Sequence, residues 1–358
     1  IHSDYGDVSG SSTIEFYVDG AEKAVINSSG NIAATTFNGI PFYSDVANNS
    51  MYTHDVSGTD STAQGNTAYG FGALDAVTGG DLNTVVGYLA GSAINSGSNN
   101  VLMGYATGDA LTTGSDNVAI GYAALSVEDT GAKNVAIGKS ALNALNFDGD
   151  GYNVAVGYNA GTAVTLGKEN TLIGGQAGDS LTTGEKNIPI GKAALSTEDT
   201  GSRNVAIGFS ALETQNNTSD LDAYNVAMGY EAGKSVTTGV KNTLIGGLAG
   251  DALTTGQQNV ALGYNALSSE DLGSRSTALG YNTLGAQNVD GNIYNVAVGY
   301  SAGGAITEGT QNTLIGSLAG DSLNTGNYNV AVGYESLGLT TLGASNVAVG
   351  NFALNENV

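Results

Sequence analysis

Acidic side chains are the groups in this chain best suited to chemistry, and they recur at fixed intervals. Three pairs and four single aspartates repeat along the sequence: Glu128-Asp129, Glu198-Asp199, Glu270-Asp271, Asp109, Asp179, Asp251 and Asp321. Two neighbouring carboxylates are the catalytic groups of most glycoside hydrolases. Members of one set are four repeats apart, about 19 Å at β-sheet spacing, which is too far to share a proton or a metal ion. We therefore expect a solvated acidic corner rather than a catalytic pair.

Other catalytic groups are scarce. The two histidines, His2 and His54, precede the repeats. A Ser/His/Asp nucleophilic set therefore cannot be assembled within the repeats. The sequence predicts a protein that is not an enzyme and that needs no cofactor.

Short insertions interrupt the repeats at 146–151, 217–222 and 290–292. In the first of them, Asp148 and Asp150 are candidate calcium ligands. The twelve-residue calcium loop with its closing Glu is missing. Surface bulges are the simpler expectation for all three insertions.

An aromatic residue follows the fixed glycine in many repeats. Candidate glycan-contact residues in this column are Tyr88, Tyr105, Tyr122, Tyr158 and Tyr230. Exposed rings can stack on sugars, but rings stacked on one another also stabilise a repetitive surface. Both interpretations stay open.

A motif of the form Asn-x-x-x-Gly occurs seventeen times between Asn66 and Asn346, with Ser276 in place of Asn once. The spacing is 17 residues, except for steps of 19, 21 and 19 after Asn134, Asn204 and Ser276. The Asn side chains are expected to form an amide ladder, as in stacked β structures. The fixed glycines mark corners that need positive φ or a close approach of two backbones. Representative ladder residues are Asn83, Asn100, Asn117, Asn134, Gly87, Gly104, Gly121 and Gly138.

The repeats, here called coils, come in blocks of four that start at Asn83, Asn153, Asn225 and Asn295. A period of 17 residues is too short for a pair of helices and favours strands and turns. We predict an all-β chain: a small N-terminal β-element over 1–38, a connector over 39–65 and a parallel β-roll or β-solenoid over 66–358. Two short strands and two turns per coil would give a rod about 80 Å long.

The first strand of each coil is apolar on both faces. In Val118-Ala119-Ile120, the two branched residues point one way and the alanine the other. Strands of this type are buried on both sides. The second strand, as in 122–126, turns polar and is expected to face solvent. A single roll can cover only one side of the first strand, so the sequence predicts an oligomer with first strands along its axis.

Composition excludes several classes of function. Gly supplies 55 of the 358 residues, Pro 2, and charged residues only 12%, so a thick globular core is not expected. The net charge of −23 disfavours binding to nucleic acid. The absence of cysteine excludes disulfides, and no apolar run approaches the roughly 20 residues of a membrane-spanning helix. The chain stops partway through a coil, so we expect a longer parent protein.

The coils Asn-Val-Ala-Ile-Gly-Tyr-Ala-Ala-Leu (117–125) and Asn-Val-Ala-Ile-Gly-Lys-Ser-Ala-Leu (134–142) resemble the head repeats of trimeric autotransporter adhesins. The 17-residue version, with Leu-Thr-Thr-Gly at 111–114, and the segment 16–31 are similar to parts of phage tail fibres. The resemblance implies a homotrimer of left-handed parallel β-rolls. Its implied role is the structural and adhesive shaft of a phage tail fibre used in host attachment.

That resemblance also implies the partners and the location: other fibre or baseplate proteins, a host cell-surface receptor or glycan, and a place on the virion. A bacterial surface adhesin head is the alternative, although the adhesin period is shorter than 17. A polysaccharide-degrading tailspike would need long loops and aromatic clefts, and the insertions are short. An ice-binding solenoid is prompted by Thr112-Thr113, Thr182-Thr183 and Thr254-Thr255, but Glu-Asp coils interrupt the threonine array.

Overall fold

The structure is a computed structural model that describes short strands between residues 2 and 45 and then residues 50–53, 62–217, 219–339 and 341–355. Every regular element in these parts is a β-strand. Four N-terminal strands pair antiparallel in one sheet: His2–Ser3, Ile14–Val18, Ala21–Ile26 and Ile32–Ala33. Two hairpins follow: Thr36–Phe37 with Ile40–Pro41, and Tyr43–Asp45 with Ser50–Tyr52.

The solenoid contains seventeen three-residue strands, one for each coil, paired in parallel with their neighbours, and two further two-residue strands, Gly273–Ser274 and Gly291–Asn292, paired with each other. The three-residue strands are Thr67–Tyr69, Thr84–Val86, Val101–Met103, Val118–Ile120, Val135–Ile137, Val154–Val156, Thr171–Ile173, Ile188–Ile190, Val205–Ile207, Val226–Met228, Thr243–Ile245, Val260–Leu262, Thr277–Leu279, Val296–Val298, Thr313–Ile315, Val330–Val332 and Val347–Val349. The register advances by one whole coil, so Val118 pairs with Val135 and Ala119 with Ala136. The all-β parallel solenoid predicted from the 17-residue period is confirmed.

The predicted second strand of each coil is wrong. Residues 122–125 form a turn in which Ala123 and Leu125 have φ values of 51° and 54°. Left-handed backbone is unfavourable for residues with a Cβ. It persists here because the next coil fixes it: the Leu125 N–H donates to the Ala141 carbonyl at 3.0 Å, and the Leu125 side chain is fully buried.

The core is a narrow stack of small and medium side chains. The middle residue of each strand points inward and is Ala in most coils, as at Ala119 and Ala136, with Leu102 and Leu172 in others. A further inward position, eleven residues after the motif Asn, holds Val77, Ile94 and Leu111 in three of the first coils. Short side chains in the strands let opposite walls of the coil lie close together.

The fixed glycine that ends each strand cannot carry a side chain. Gly121 has a φ of +134°, and a Cβ built on it would lie 2.5 Å from the carbonyl oxygen of Gly138 in the next coil. The backbone conformation and the close approach each exclude other residues. The glycine column therefore sets the contact between consecutive coils.

The first coil is covered by the hairpin that ends at Tyr52. Met51 pairs in parallel with Thr67, and the side-chain oxygen of Ser50 accepts the backbone N–H of Asn66 at 3.0 Å. Ser50 thus occupies the acceptor position that an Asn side chain fills in later coils. Such terminal units are a common requirement of solenoids, whose end coils would otherwise expose the core.

Candidate functional surfaces

The outward face of the strand column is a continuous apolar surface. The two outward residues of each strand are Val, Ile, Leu, Met, Thr or Tyr in all seventeen coils. They are half-buried or exposed in the single chain, for example Met103 at 45% and Leu262 at 48%. A large exposed apolar patch on a soluble protein marks an interaction surface.

The aromatic column runs beside this face and forms stacked ladders. Ring centroids are 5.5 Å apart for Tyr88 and Tyr105 and 5.2 Å for Tyr105 and Tyr122. The Lys139 ammonium continues the column, 5.7 Å from the Tyr122 ring and 5.6 Å from the Tyr158 ring. Stacking and cation–π contacts cover the faces of these rings. Rings with a neighbour on both sides, such as Tyr105 and Tyr122, therefore present mainly edges and hydroxyl groups to solvent.

Tyr230 lies in a second stack, with its ring centroid 5.6 Å from that of Phe209. Its hydroxyl is close to Glu231, and hydrogen bonding to that carboxylate raises the pKa of the Tyr230 phenol. A salt bridge to Lys234 lowers the pKa of the Glu231 carboxyl. Tyr158 and Tyr230 belong to different ring ladders, separated by Gly175 in the same column.

The motif asparagines make two kinds of hydrogen bond, one to the next coil and one within their own coil. The backbone N–H of Asn100 donates to Oδ1 of Asn83 at 3.0 Å, and Nδ2 of Asn83 donates to the Gly97 carbonyl at 2.9 Å. Asn117 and Asn134 repeat the first bond, each to the Asn of the coil before. Each amide thus satisfies a backbone donor of the next coil and a carbonyl of its own coil.

Three acidic residues that were expected in solvent are buried, which corrects the solvated acidic corner. Glu128, Glu198 and Glu270 are fully inaccessible and occupy the core position that is Val77, Ile94 or Leu111 elsewhere. Aligning the coils by column would have revealed this, because a carboxylate stands where most other coils have an aliphatic residue. Within each Glu-Asp pair, only the glutamate points into the core.

Each buried carboxylate is held by donors from its own turn and from the next coil. Glu198 accepts the N–H of Gly201 at 2.8 Å, the N–H of Asn217 at 3.1 Å and Nε2 of Gln215 at 2.8 Å. Glu128 and Glu270 also accept an N–H from a glycine three residues on, at 2.7 Å in both cases. Burial raises the pKa of Glu128 and Glu270, and the N–H donors oppose this rise.

The single aspartates lie half-buried, four coils apart. One carboxylate oxygen of each of Asp109, Asp179 and Asp251 is buried without a hydrogen-bond partner. Desolvation raises the pKa of these three carboxyls and of Asp321. Their separation by four coils keeps members of this set from acting together.

The candidate calcium ligands are engaged by neighbouring side chains. Asp150 pairs with Lys133 at 2.7 Å and accepts the Tyr152 hydroxyl at 3.0 Å. These contacts lower the pKa of Asp150, whose carboxylate is already charge-balanced. Asp148 accepts a hydrogen bond from Thr130. Among the described residues, no three His, Cys, Asp or Glu side chains are placed to hold one metal ion.

Neither histidine adds a catalytic group to the described part of the solenoid. His2 lies in the N-terminal sheet, and His54 is outside the described residues. None of the described segments forms a helix long and apolar enough to cross a membrane. Comparisons with models of protein families, with curated proteins and with solved structures find no match to this chain.

Proposed function

We propose that this chain is a segment of an elongated fibre in which three copies pack along their strand columns. The fibre is the shaft of a phage tail fibre or a similar appendage used in host attachment. The observation that carries the proposal is the apolar outward face of seventeen consecutive strands. Removing such a surface from water stabilises an assembly by about 25 cal/mol per Å².

Other copies of this chain are the occupant that best fits the face. The face repeats once per coil, so a partner must offer apolar groups at the same rise over the same length, and another copy does so. The outward strand positions carry no charged residue. The net charge of −23 therefore lies elsewhere and does not oppose contact between these faces. The number of copies, three, is taken from the resemblance of the repeats to trimeric adhesin heads and tail fibres.

A structural and adhesive role fits the chemistry of the surface better than catalysis does. The repeated carboxylates are separated by four coils or engaged in hydrogen bonds that position the backbone. A bacterial surface adhesin head is the alternative, and both assignments share the trimeric rod. Gene neighbourhood separates them: tail and baseplate genes beside this gene favour the phage fibre, and a membrane-anchor gene region favours the adhesin.

Light scattering coupled to gel filtration tests the assembly. We expect three times the 35.7 kDa mass of one chain. A double substitution on the outward face, Ile120→Glu with Ile190→Glu, should dissociate the assembly by burying charge without a partner. Thr113→Glu, at an exposed turn, is the matched control and should leave the mass unchanged. A folded wild-type monomer at micromolar concentration would overturn the proposal.

A further inference from the structure

The three insertions leave the rod at equivalent places. Each lies in the fourth coil of a block, at 146–151, 217–222 and 290–292, with residue 218 outside the described part. Successive insertions are four coils apart, about 19 Å along the rod. Although their sequences differ, the same three devices hold each of them.

The inner device is the buried glutamate of the preceding coil. The N–H groups of Phe147, Asn217 and Val289 donate to Glu128, Glu198 and Glu270 at 3.3, 3.1 and 3.4 Å. Each glutamate thus fixes the chain at the place where an insertion begins. A buried carboxylate is weak evidence for stability, because desolvation offsets its attractions. Its placement beneath all three insertions points instead to fixing their position.

The middle device is a short parallel pairing with the preceding coil at the end of each insertion. Asp150 bridges to Ala132 and Asp222 to Ser202. In the third insertion, Gly291–Asn292 pairs with Gly273–Ser274. The chain is therefore fixed again before it re-enters the repeat.

The outer device is an exposed cluster of a cation, a carboxylate or amide, and a tyrosine. At the first junction, Nζ of Lys133 lies 5.2 Å from the Tyr152 ring centroid and 2.7 Å from Asp150. At the second, the Arg203 guanidinium lies 5.7 Å from the Tyr224 ring and is paired with Asp222, which accepts the Tyr224 hydroxyl at 3.2 Å.

The third junction keeps the cation and the ring. The guanidinium of Arg275 lies 5.5 Å from the Tyr294 ring and donates to the Tyr294 hydroxyl at 2.6 Å. Asn292 stands at the place of the aspartate. The three tyrosines are 52%, 50% and 48% exposed, so the fixed clusters are open to solvent.

We propose that these three junction clusters, made of Tyr152, Tyr224 and Tyr294 with their cations and the aspartate or asparagine beside each ring, are binding sites for neutral sugar residues of a surface glycan. The inference rests on the attachment role proposed above. An exposed ring offers an apolar surface to the C–H groups of a sugar. The side-chain oxygens of Asp150, Asp222 and Asn292 accept hydrogen bonds from sugar hydroxyls, and the lysine or arginine donates to them. Groups held in place in advance lose little freedom on binding.

Charge selects the class of glycan. In the first two clusters one acid and one cation balance, whereas the whole chain carries −23, so its field repels sialylated or sulfated chains. Three sites in one row let weak single contacts combine when the ligand repeats along a surface. Neutral oligosaccharides are therefore the ligand class that fits.

An array of immobilised neutral hexose and N-acetylhexosamine oligosaccharides, with sialylated and sulfated ones beside them, tests the proposal on the whole chain. We expect the chain to bind the neutral oligosaccharides. The triple variant Tyr152→Ala, Tyr224→Ala and Tyr294→Ala should weaken it at least tenfold with an unchanged melting temperature. The matched control, Tyr88→Ala, Tyr105→Ala and Tyr264→Ala, removes three rings of the stacked column and should retain binding.

No binding to neutral glycans, binding in the anionic arm alone, or loss of binding only in the control variant overturns the proposal. If the triple variant fails to fold, the double variant Asp150→Asn with Asp222→Asn replaces it, because it keeps the shape of both loops. This double variant should bind neutral glycans more weakly. An unchanged affinity for them would also overturn the proposal. The molecular mass of the same sample separates the two proposals. A trimer that does not bind glycans would contradict only the glycan-binding proposal. A monomer that binds glycans would contradict only the proposal of a trimeric fibre.

Discussion

Oε2 of Glu198 accepts a hydrogen bond from Nε2 of Gln215 in the following coil, 2.8 Å away, inside a core column that is aliphatic in most other coils. The Gln215 carbonyl oxygen in turn accepts Nδ2 of Asn225 at 2.9 Å. Glu270, Gln287 and Asn295 form the same chain of bonds one block later. A buried polar relay therefore crosses each of these block junctions.

Replacing one member of this relay should lower the unfolding free energy more than replacing two members together. Glu198→Leu leaves Nε2 of Gln215 and the N–H of Asn217 without an acceptor, and we expect a loss of about 2–6 kcal/mol in unfolding free energy, because each buried donor left unsatisfied costs about 1–3 kcal/mol. Adding Gln215→Leu recovers part of that loss, because Leu145 already occupies the equivalent core position in the first block. Denaturant unfolding of both variants measures the coupling. A single variant as stable as the parent would contradict the relay.

Two adjacent glycines provide a matched test of the coil contact. Gly174 has a φ of +131°, and a Cβ there would lie 2.5 Å from the Gly191 carbonyl oxygen, whereas at Gly175 nothing lies nearer than 4.0 Å. We expect Gly174→Ala to destabilise the solenoid by more than about 2 kcal/mol and Gly175→Ala to be nearly neutral. Thermal melting of the two variants decides the matter. Equal melting temperatures would show that the glycine column does not set the coil contact.

Pro189 weakens one rung of the strand ladder. Between Thr171–Ile173 and Ile188–Ile190 the pairing is reduced to Ile173 with Ile190, because proline has no N–H to donate. Pro189→Ala should restore the donor and raise stability by about 1 kcal/mol, the net worth of one hydrogen bond. Ala206→Pro, in the next coil, is the reverse control and should lower it. Hydrogen exchange in strand Thr171–Ile173 locates the effect, and faster exchange after Pro189→Ala would refute it.

Mild acid should stabilise this protein. Burial raises the pKa of Asp109, Asp179, Asp251, Asp321, Glu128 and Glu270 above the unfolded values of 3.8 for Asp and 4.5 for Glu. Between the unfolded and folded pKa values the native chain binds more protons, so stability increases as pH falls through that window. Below the unfolded values both states are protonated and the gain stops.

The measurement is the melting temperature at pH 7.5 and pH 5, which should be higher at pH 5. Asp109→Asn with Asp179→Asn and Asp251→Asn should raise the melting temperature at pH 7.5 and reduce its dependence on pH. Asp148→Asn, at an exposed loop tip, is the control and should change neither. A melting temperature that falls steadily from pH 7.5 to 5 would rule out the effect of buried carboxyls.

The strand of each coil was predictable because its signal is local. Val118, Ala119 and Ile120 alternate between outside and inside, and the glycine that follows marks the corner. The turn after Gly121 was not predictable from propensity. Ala123 and Leu125 adopt a left-handed backbone that these residues avoid in isolation. Their conformation is imposed by hydrogen bonds and packing from the neighbouring coils, which a reading of one coil does not contain.

The candidate functional surfaces were likewise predictable only where their signal lies within one coil. The apolar outward face follows from strand alternation, and the positions of the insertions follow from counting. The cation over Tyr152 joins residues 133 and 152, and the carboxylate beneath the loop joins Glu128 to Phe147. These contacts link different coils, so they appear only when the coils are stacked in register.

Because an insertion lies in the fourth coil of successive blocks, the rod sets the distance between its loops as well as supporting them. Duplicating a whole block preserves the glycine contacts and the asparagine ladder, and it adds about 19 Å of length together with one more loop. Reach and the number of contacts with a surface thus increase together. A lineage of such proteins can tune both by copying a single stretch of sequence, without redesigning any interface between coils.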